Sequence, residues 1–108
     1  MTAVSWETHR ALAGISAGRA DAVEEALEGD GLGARGSALV RIAALIALDA
    51  PPVSYARQVA DAQEAGVGAE EILGVLRAIA PQVGGPRVIA AAPEIMLALG
   101  LSLPSGEG

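Results

Sequence analysis

The chain has 108 residues, 52% of them hydrophobic, a formal net charge of −6 and no cysteine. This length predicts a single domain, and the lack of cysteine excludes disulfides and every reaction that needs a thiolate. The seven cations are all arginines and are dispersed among thirteen acidic residues, so no basic surface for nucleic acid is expected.

The sequence shows neither the pattern of a secretion signal nor an apolar run long enough to span a membrane. The first ten residues lack a basic region followed by an apolar one. The longest apolar run, residues 38–48, is interrupted by Arg41 and is shorter than the ~20 residues that a membrane helix needs. These features predict a cytoplasmic protein that makes no contact with a membrane.

The first third of the chain predicts two short helices and a turn. Ser5 is a suitable N-cap for a helix that ends near residue 15, and a second helix is expected over residues 19–28. The glycine-rich segment 29–33 follows, and its conformational freedom permits a sharp turn.

A third helix over residues 37–48 is apolar nearly all round, which is typical of a central buried helix. Asp49 would oppose the negative dipole at the end of this helix. It is better suited to be the N-cap of a fourth helix, with Pro51 and Pro52 in a first turn that needs no N–H donors.

The fourth helix is predicted over residues 50–65, with one apolar side that should face the core. Gln63 falls in the middle of that side. Because a buried polar group needs a hydrogen-bond partner, we expect Gln63 to be bonded inside the core or across a subunit contact. The apolar side comprises Val53, Ala56, Val59 and Ala60.

Two further helices complete an all-α fold of about six helices. The fifth starts near residue 69, and Pro81 should kink or end it. The sixth opens at Gly84-Gly85-Pro86, is interrupted at Pro93 and resumes to residue 99, and residues 101–108 form a flexible tail. The core-facing stripe of the fifth helix comprises Ile72, Val75, Leu76, Ile79 and Val83.

The composition of the core predicts self-association. The chain has 24 alanines, one Trp, one Tyr and no Phe, so each helix buries little apolar area. A homo-oligomer that shares its core between subunits is expected, and a marginally stable monomer is the alternative.

Four segments together resemble the carboxymuconolactone decarboxylase family of the alkylhydroperoxidase-like superfamily. They are ALVRIAALIA (38–47), YARQVADAQEAG (55–66), EEILGVL (70–76) and GGPRVIA (84–90). The resemblance centres on residues 37–100 and implies a bundle of about six helices that assembles as a homotrimer or homohexamer.

The same resemblance implies where the active site of relatives would fall. Thiol peroxidases of the superfamily carry a Cys-x-x-Cys-x-x-x-His segment, whose three positions fall on Pro51, Ser54 and Gln58. Without cysteine, peroxidase chemistry is excluded. Decarboxylases of the family keep the histidine, and Gln58 cannot exchange protons in its place.

Five residues form the candidate pocket: Arg41, Ser54, Tyr55, Gln58 and Arg87. Arg41 is the lone charge on the apolar third helix. It would bind a carboxylate of a substrate or of another helix, or it would extend its charged end to solvent or pair at an interface. Arg87, beside a helix N-terminus and flexible glycines, could form an anion site, or it could be a surface residue paired with Glu70, Glu71 or Glu94. Ser54, Tyr55 and Gln58 offer hydrogen bonds, or lie on an ordinary half-exposed helix face.

These residues leave two classes of function open. The protein could be a lyase or isomerase acting on a small carboxylated lactone or a related acid, or a non-catalytic oligomeric module that binds a small ligand or a partner. No cofactor is expected. The single histidine, His9, is either a surface residue or a base delivered to a neighbouring subunit, and without cysteine it leaves no credible metal site.

Overall fold

In the computed structural model, which describes residues 3–104, the ordered segments are all helical, and these residues contain no strand. They divide into two compact units, the first ending at Gly31 and the second beginning at Leu32. No helix of this part of the chain is both long and apolar enough to cross a membrane. The predicted tail is without regular structure at 101–104, and residues 105–108 lie outside the described residues. The helices are α1 (Trp6–Ala17), α2 (Ala20–Ala26), α3 (Gly33–Leu48), α4 (Pro52–Glu64), α5 (Ala69–Val83) and α6 (Gly85–Ala98).

The first unit is a pair of contacting helices, α1 and α2. The predicted cap of α1 is confirmed, because the Ser5 side chain accepts a hydrogen bond from the Thr8 backbone N–H at 3.1 Å. Gly18, in the left-handed conformation with φ of 72°, closes the helix. Neither α1 nor α2 contains a buried residue.

The second unit is organised around α3, which contacts α4, α5 and α6. Ile42 and Ile46 of α3 are fully buried at the centre of the core. The expectation that α3 is buried all round was wrong, since Val40 and Leu48 are 57% and 75% exposed. The helix also begins one turn earlier than predicted, at Gly33.

Asp49 ends α3 instead of starting α4, so its predicted role as an N-cap was wrong. Its φ of 52° is left-handed, and its N–H donates to the carbonyl of Ile46. The next N–H, that of Ala50, donates to the carbonyl of Leu45, so both groups close the last turn of α3. Pro51 is the residue that precedes α4.

The predicted orientation of α4 was also wrong. Its buried residues are Tyr55, Val59 and Ala62, whereas the Gln63 side chain is exposed and has no hydrogen-bond partner in the described residues. At 3.6 residues per turn, the observed inner face is rotated by about 100° from the predicted one. Alanine caused the error, because it occurs on either side of a helix and therefore does not indicate which side is buried. Val53, which was predicted to face the core, is 73% exposed.

The prolines of α5 and α6 do not end these helices. The predicted core stripe of α5 is confirmed around buried Ile72, but the helix continues past Pro81 to Val83. The predicted interruption at Pro93 was wrong, because α6 is continuous. Ala91 and Ile95 are buried on either side of Pro93, and this packing holds the helix together where one backbone hydrogen bond is lost.

An ion pair that the sequence analysis missed ties three elements of the second unit together. Arg35, in the first turn of α3, donates hydrogen bonds to the carboxylate of Glu71 and to the carbonyl of Gly66. Glu71 also accepts from the N–H of Gly68 at 3.2 Å. These charge-assisted bonds join the start of α3 to the turn between α4 and α5.

Candidate functional site

The inner face of α4 carries two polar side chains without partners. Tyr55 is 2% exposed, and no hydrogen bond to its hydroxyl is found among residues 3–104. Gln58, one turn later on the same side, is half-buried, and its Nε2 atom is buried without a hydrogen-bond partner. Buried polar groups are normally satisfied, so the unsatisfied Gln58 amide, next to the unbonded Tyr55 hydroxyl, marks this face as a candidate binding site.

The electrostatics around Tyr55 are set by burial and by two carboxylates. Burial raises the pKa of the Tyr55 hydroxyl above its ordinary value, and the negative charges of Asp49 and Glu94 raise it further. Asp49 belongs to the turn between α3 and α4, and Glu94 belongs to α6, which packs against α4. The Tyr55 hydroxyl therefore stays protonated at neutral pH and is available as a hydrogen-bond donor.

Glu94 and Asp49 were not predicted as site residues. Glu94 is half-buried, and no ion pair involving it is found in the described part of the chain. The sequence analysis expected an interruption at Pro93, so the side of α6 on which Glu94 lies was not predicted. Because α6 is continuous, Glu94 lies two turns after Arg87, on the same side as buried Ala91. Asp49 was misassigned as a helix cap.

The other predicted site residues lie near the surface. Ser54 is half-buried, and its backbone N–H donates to the carbonyl of Pro51 at 3.0 Å. Arg41 and Arg87 are exposed and form no ion pair within residues 3–104. The proposed pairing of Arg87 with Glu71 is not seen, because Glu71 pairs with Arg35.

His9 lies in the first unit, on the exposed surface of α1. Its ring stacks on Trp6, with the ring centroids 6.3 Å apart and the planes 17° from parallel. This is the environment of a surface histidine, one of the two interpretations that the sequence allowed. A groove within the first unit is lined by charged side chains of α1 and α2, among them Glu7, Arg10, Asp21 and Glu25.

Residues 13–95 match the Carboxymuconolactone decarboxylase family, and the chain belongs to this family. The match includes all of α3, α4 and α5 and most of α6, with the whole inner face of α4. No curated protein and no solved structure matches the chain. The resemblance predicted from the sequence is thereby confirmed, for a member that has no cysteine.

The chemistry of this face follows from its side chains. The Tyr55 hydroxyl and the Gln58 amide are neutral donors, suited to the carbonyl oxygen of a ligand. Glu94 is a nearby acceptor. With no thiol in the chain, the peroxidase chemistry of the superfamily is excluded.

Proposed function

We propose that the protein is a lyase or isomerase of this family, and that it acts on a small carboxylated lactone or a related acid at the inner face of α4. The observation that carries the proposal is the buried, unpartnered Nε2 atom of Gln58, which lies one turn after buried Tyr55 on the inner face of α4. Buried donors of this kind stabilise an oxyanion that forms during a reaction, because they need no reorganisation when the charge appears.

Decarboxylation of a carboxylated lactone illustrates what these donors would do. The bond between the ring carbon and the carboxylate breaks, carbon dioxide leaves, and the bonding electrons pass into the conjugated lactone as a dienolate. The negative charge then lies largely on the lactone carbonyl oxygen, which Tyr55 and Gln58 would stabilise by hydrogen bonds. A proton from solvent, delivered to carbon, completes the reaction.

Arg41 and Arg87 are proposed to hold the substrate carboxylate. Both are exposed and free of ion pairs in the described residues, so both guanidinium groups are available. Arg87 precedes Glu94 by two turns on one side of α6, which is about 10 Å along the helix axis. Ser54, adjacent to Tyr55, is proposed to contribute a further hydrogen bond.

We further propose that the working protein is a cytoplasmic homotrimer or homohexamer. Many large hydrophobic side chains of the second unit are exposed in the single chain, which supports burial between subunits. They include Val40, Leu48, Val53, Leu73, Ile89 and Leu97.

A non-catalytic role in ligand binding is the second candidate, and one observation favours it. The only histidine of the chain is on the exposed surface of α1, and Gln58 occupies the place where catalytic relatives are expected to keep a histidine. The inner face of α4 would then bind the same class of small ligand without converting it.

Turnover of carboxymuconolactone distinguishes the two candidates. We expect the purified protein to release carbon dioxide from this lactone above the rate in buffer, and the variant carrying both Arg41→Gln and Arg87→Gln to show a raised KM. Binding without carbon dioxide release or isomerisation would support the non-catalytic candidate. Neither binding nor turnover would contradict both.

A further inference from the structure

The two helices of the first unit have more apolar surface than they cover by themselves. Neither α1 nor α2 contains a buried residue, and they are only 12 and 7 residues long. Isolated helices shorter than about 12–15 residues are marginal in water, so we expect this α1–α2 pair to be covered by a further surface. Five of its large apolar side chains are between 39% and 71% exposed, namely Val4, Trp6, Leu12, Ile15 and Leu27.

The groove between α1 and α2 has room for side chains of a partner. It encloses about 810 Å³, and its half-buried lining residues are small, whereas Trp6 and the charged lining residues are exposed. A groove with small residues at its base and longer ones at its edges can receive the side chains of another helix. The small lining residues are Ala11, Gly14, Ala22 and Ala26.

The charges along this groove indicate which partner fits. A uniformly basic partner would meet Arg10 and Arg19, and a uniformly acidic one would meet Glu7, Asp21 and Glu25. Facing like charges are costly, so both kinds of partner are disfavoured. A second copy of the same groove, turned about a twofold axis, can place its arginines opposite the acids of the first. The ion pair of Arg19 and Asp21, at 3.9 Å, is largely exposed and leaves both charges available.

We propose that the α1–α2 pair of one copy packs against the α1–α2 pair of a second copy about a twofold axis. The contact buries Trp6 and matches the arginines of each groove with the acids of the other. It is separate from the exposed apolar side chains of the second unit, and it rests on the proposed self-association only for the total number of copies. Because a twofold contact joins copies in pairs, the number of chains is even, which selects the homohexamer over the homotrimer.

The fluorescence of Trp6 gives a direct readout of this contact. Trp6 is the only tryptophan of the chain, and its side chain is 71% exposed in the single copy. We expect the full-length protein at micromolar concentration to show the short-wavelength emission of a shielded indole. On dilution the emission should move to longer wavelength, in step with a halving of the mass measured by light scattering.

Two charge variants of the full-length chain test whether the occupant is a second copy. The double variant Arg10→Glu with Arg19→Glu makes every charge of the groove negative, and the triple variant Glu7→Arg, Asp21→Arg and Glu25→Arg makes every charge positive. Each variant alone should have half the wild-type mass and an accessible Trp6, because like charges face each other. An equimolar mixture of the two should restore the wild-type mass and the shielding of Trp6, and high salt should weaken that recovery.

A matched control changes charges of the first unit that lie outside the groove. Glu24 and Glu28 are exposed and do not line it, so the double variant Glu24→Arg with Glu28→Arg should keep the wild-type mass. Circular dichroism of each variant reports its helix content. A variant that loses helix on its own stays informative, because the oppositely charged variant supplies the missing partner and should restore the helix.

Three results would overturn the pairing: a wild-type mass of an odd number of chains, an unchanged mass in both charge variants, or a mixture that stays at half the wild-type mass. Three chains in the wild type and in the variants would keep the homotrimer and remove the pairing. Two chains in the wild type and one in each variant would do the reverse. Turnover of carboxymuconolactone is read separately and decides neither case.

Discussion

Tyr55 shows how a single aromatic residue can combine a structural and a functional role. Its ring is part of the core with Val59 and Ile46, while its hydroxyl has no hydrogen-bond partner in the described residues. Burial and the charges of Asp49 and Glu94 both oppose ionisation of the hydroxyl. Since it is the only tyrosine of the chain, its titration can be followed without interference from another phenol.

We expect Tyr55 to titrate above its ordinary pKa of 10.0. Because the folded pKa is raised, the associated stabilisation is fully present below the unfolded value and is lost as the pH rises through the folded one. Tyrosinate absorbance against pH measures the folded pKa. Glu94→Gln removes one of the opposing charges and should lower the pKa, whereas Glu64→Gln should not. A wild-type pKa at or below the ordinary value would contradict this environment.

The inner face of α4 is the element on which sequence and structure disagreed most. The helix bounds were predicted to within two residues, since prolines at one end and glycine at the other are strong signals. The rotation of α4 about its own axis was not predicted, because alanines at positions 56, 60 and 62 make opposite sides of the helix similarly apolar. Tyr55 and Gln58 were named as pocket candidates from the sequence, whereas the neighbouring carboxylates of Asp49 and Glu94 were not.

A matched pair of valines tests the observed rotation. Val59 is fully buried and Val53 is 73% exposed, although both were predicted to face the core. Val59→Ala should lower the free energy of unfolding by about 2 kcal/mol through lost burial and a residual cavity. Val53→Ala should change it by less than about 0.5 kcal/mol. Chemical denaturation measures both, and equal effects would contradict the orientation of α4.

The Arg35–Glu71 ion pair, which joins α3 to α5, should make the stability of the protein depend on pH. Hydrogen bonds from Arg35 and from the Gly68 N–H lower the pKa of Glu71 below its ordinary value of 4.5. The associated stability is present above that value and is lost as the pH falls through the folded pKa.

Thermal melting across acidic pH is the measurement. We expect Arg35→Gln and Glu71→Gln each to lower the melting temperature slightly at neutral pH, as exposed pairs do, and the double variant to lose no more than either single one. Glu71→Gln should also weaken the fall in melting temperature at low pH. Additive losses in the double variant would show that the two side chains do not act as a pair.

The fold class and the number of helices were the features most easily predicted from the sequence. Six helices were predicted from the helical periodicity, from the positions of glycine and proline, and from the family resemblance. Residues 3–104 contain six helices. The bounds were less certain near Pro81 and Pro93, because tertiary packing kept helices intact where local propensity favours a break.

We expect the whole molecule to self-associate. Exposed side chains such as Leu48 and Ile89, 75% and 74% accessible in the single chain, should be buried between subunits. Light scattering at micromolar concentration should give a mass three or six times the 10.7 kDa of one chain. A stable species of 10.7 kDa would contradict the prediction.

The proposed function depends most directly on the Tyr55 hydroxyl, and Tyr55→Phe removes that hydroxyl while it keeps the buried ring. If the hydroxyl stabilises the oxyanion, kcat for carboxymuconolactone should fall by on the order of 10²-fold in Tyr55→Phe, as it does when one such donor is lost. Gln63→Leu, on the exposed side of the same helix, should leave kcat unchanged. Turnover by Tyr55→Phe at the wild-type rate would contradict the assignment of the active site to the inner face of α4.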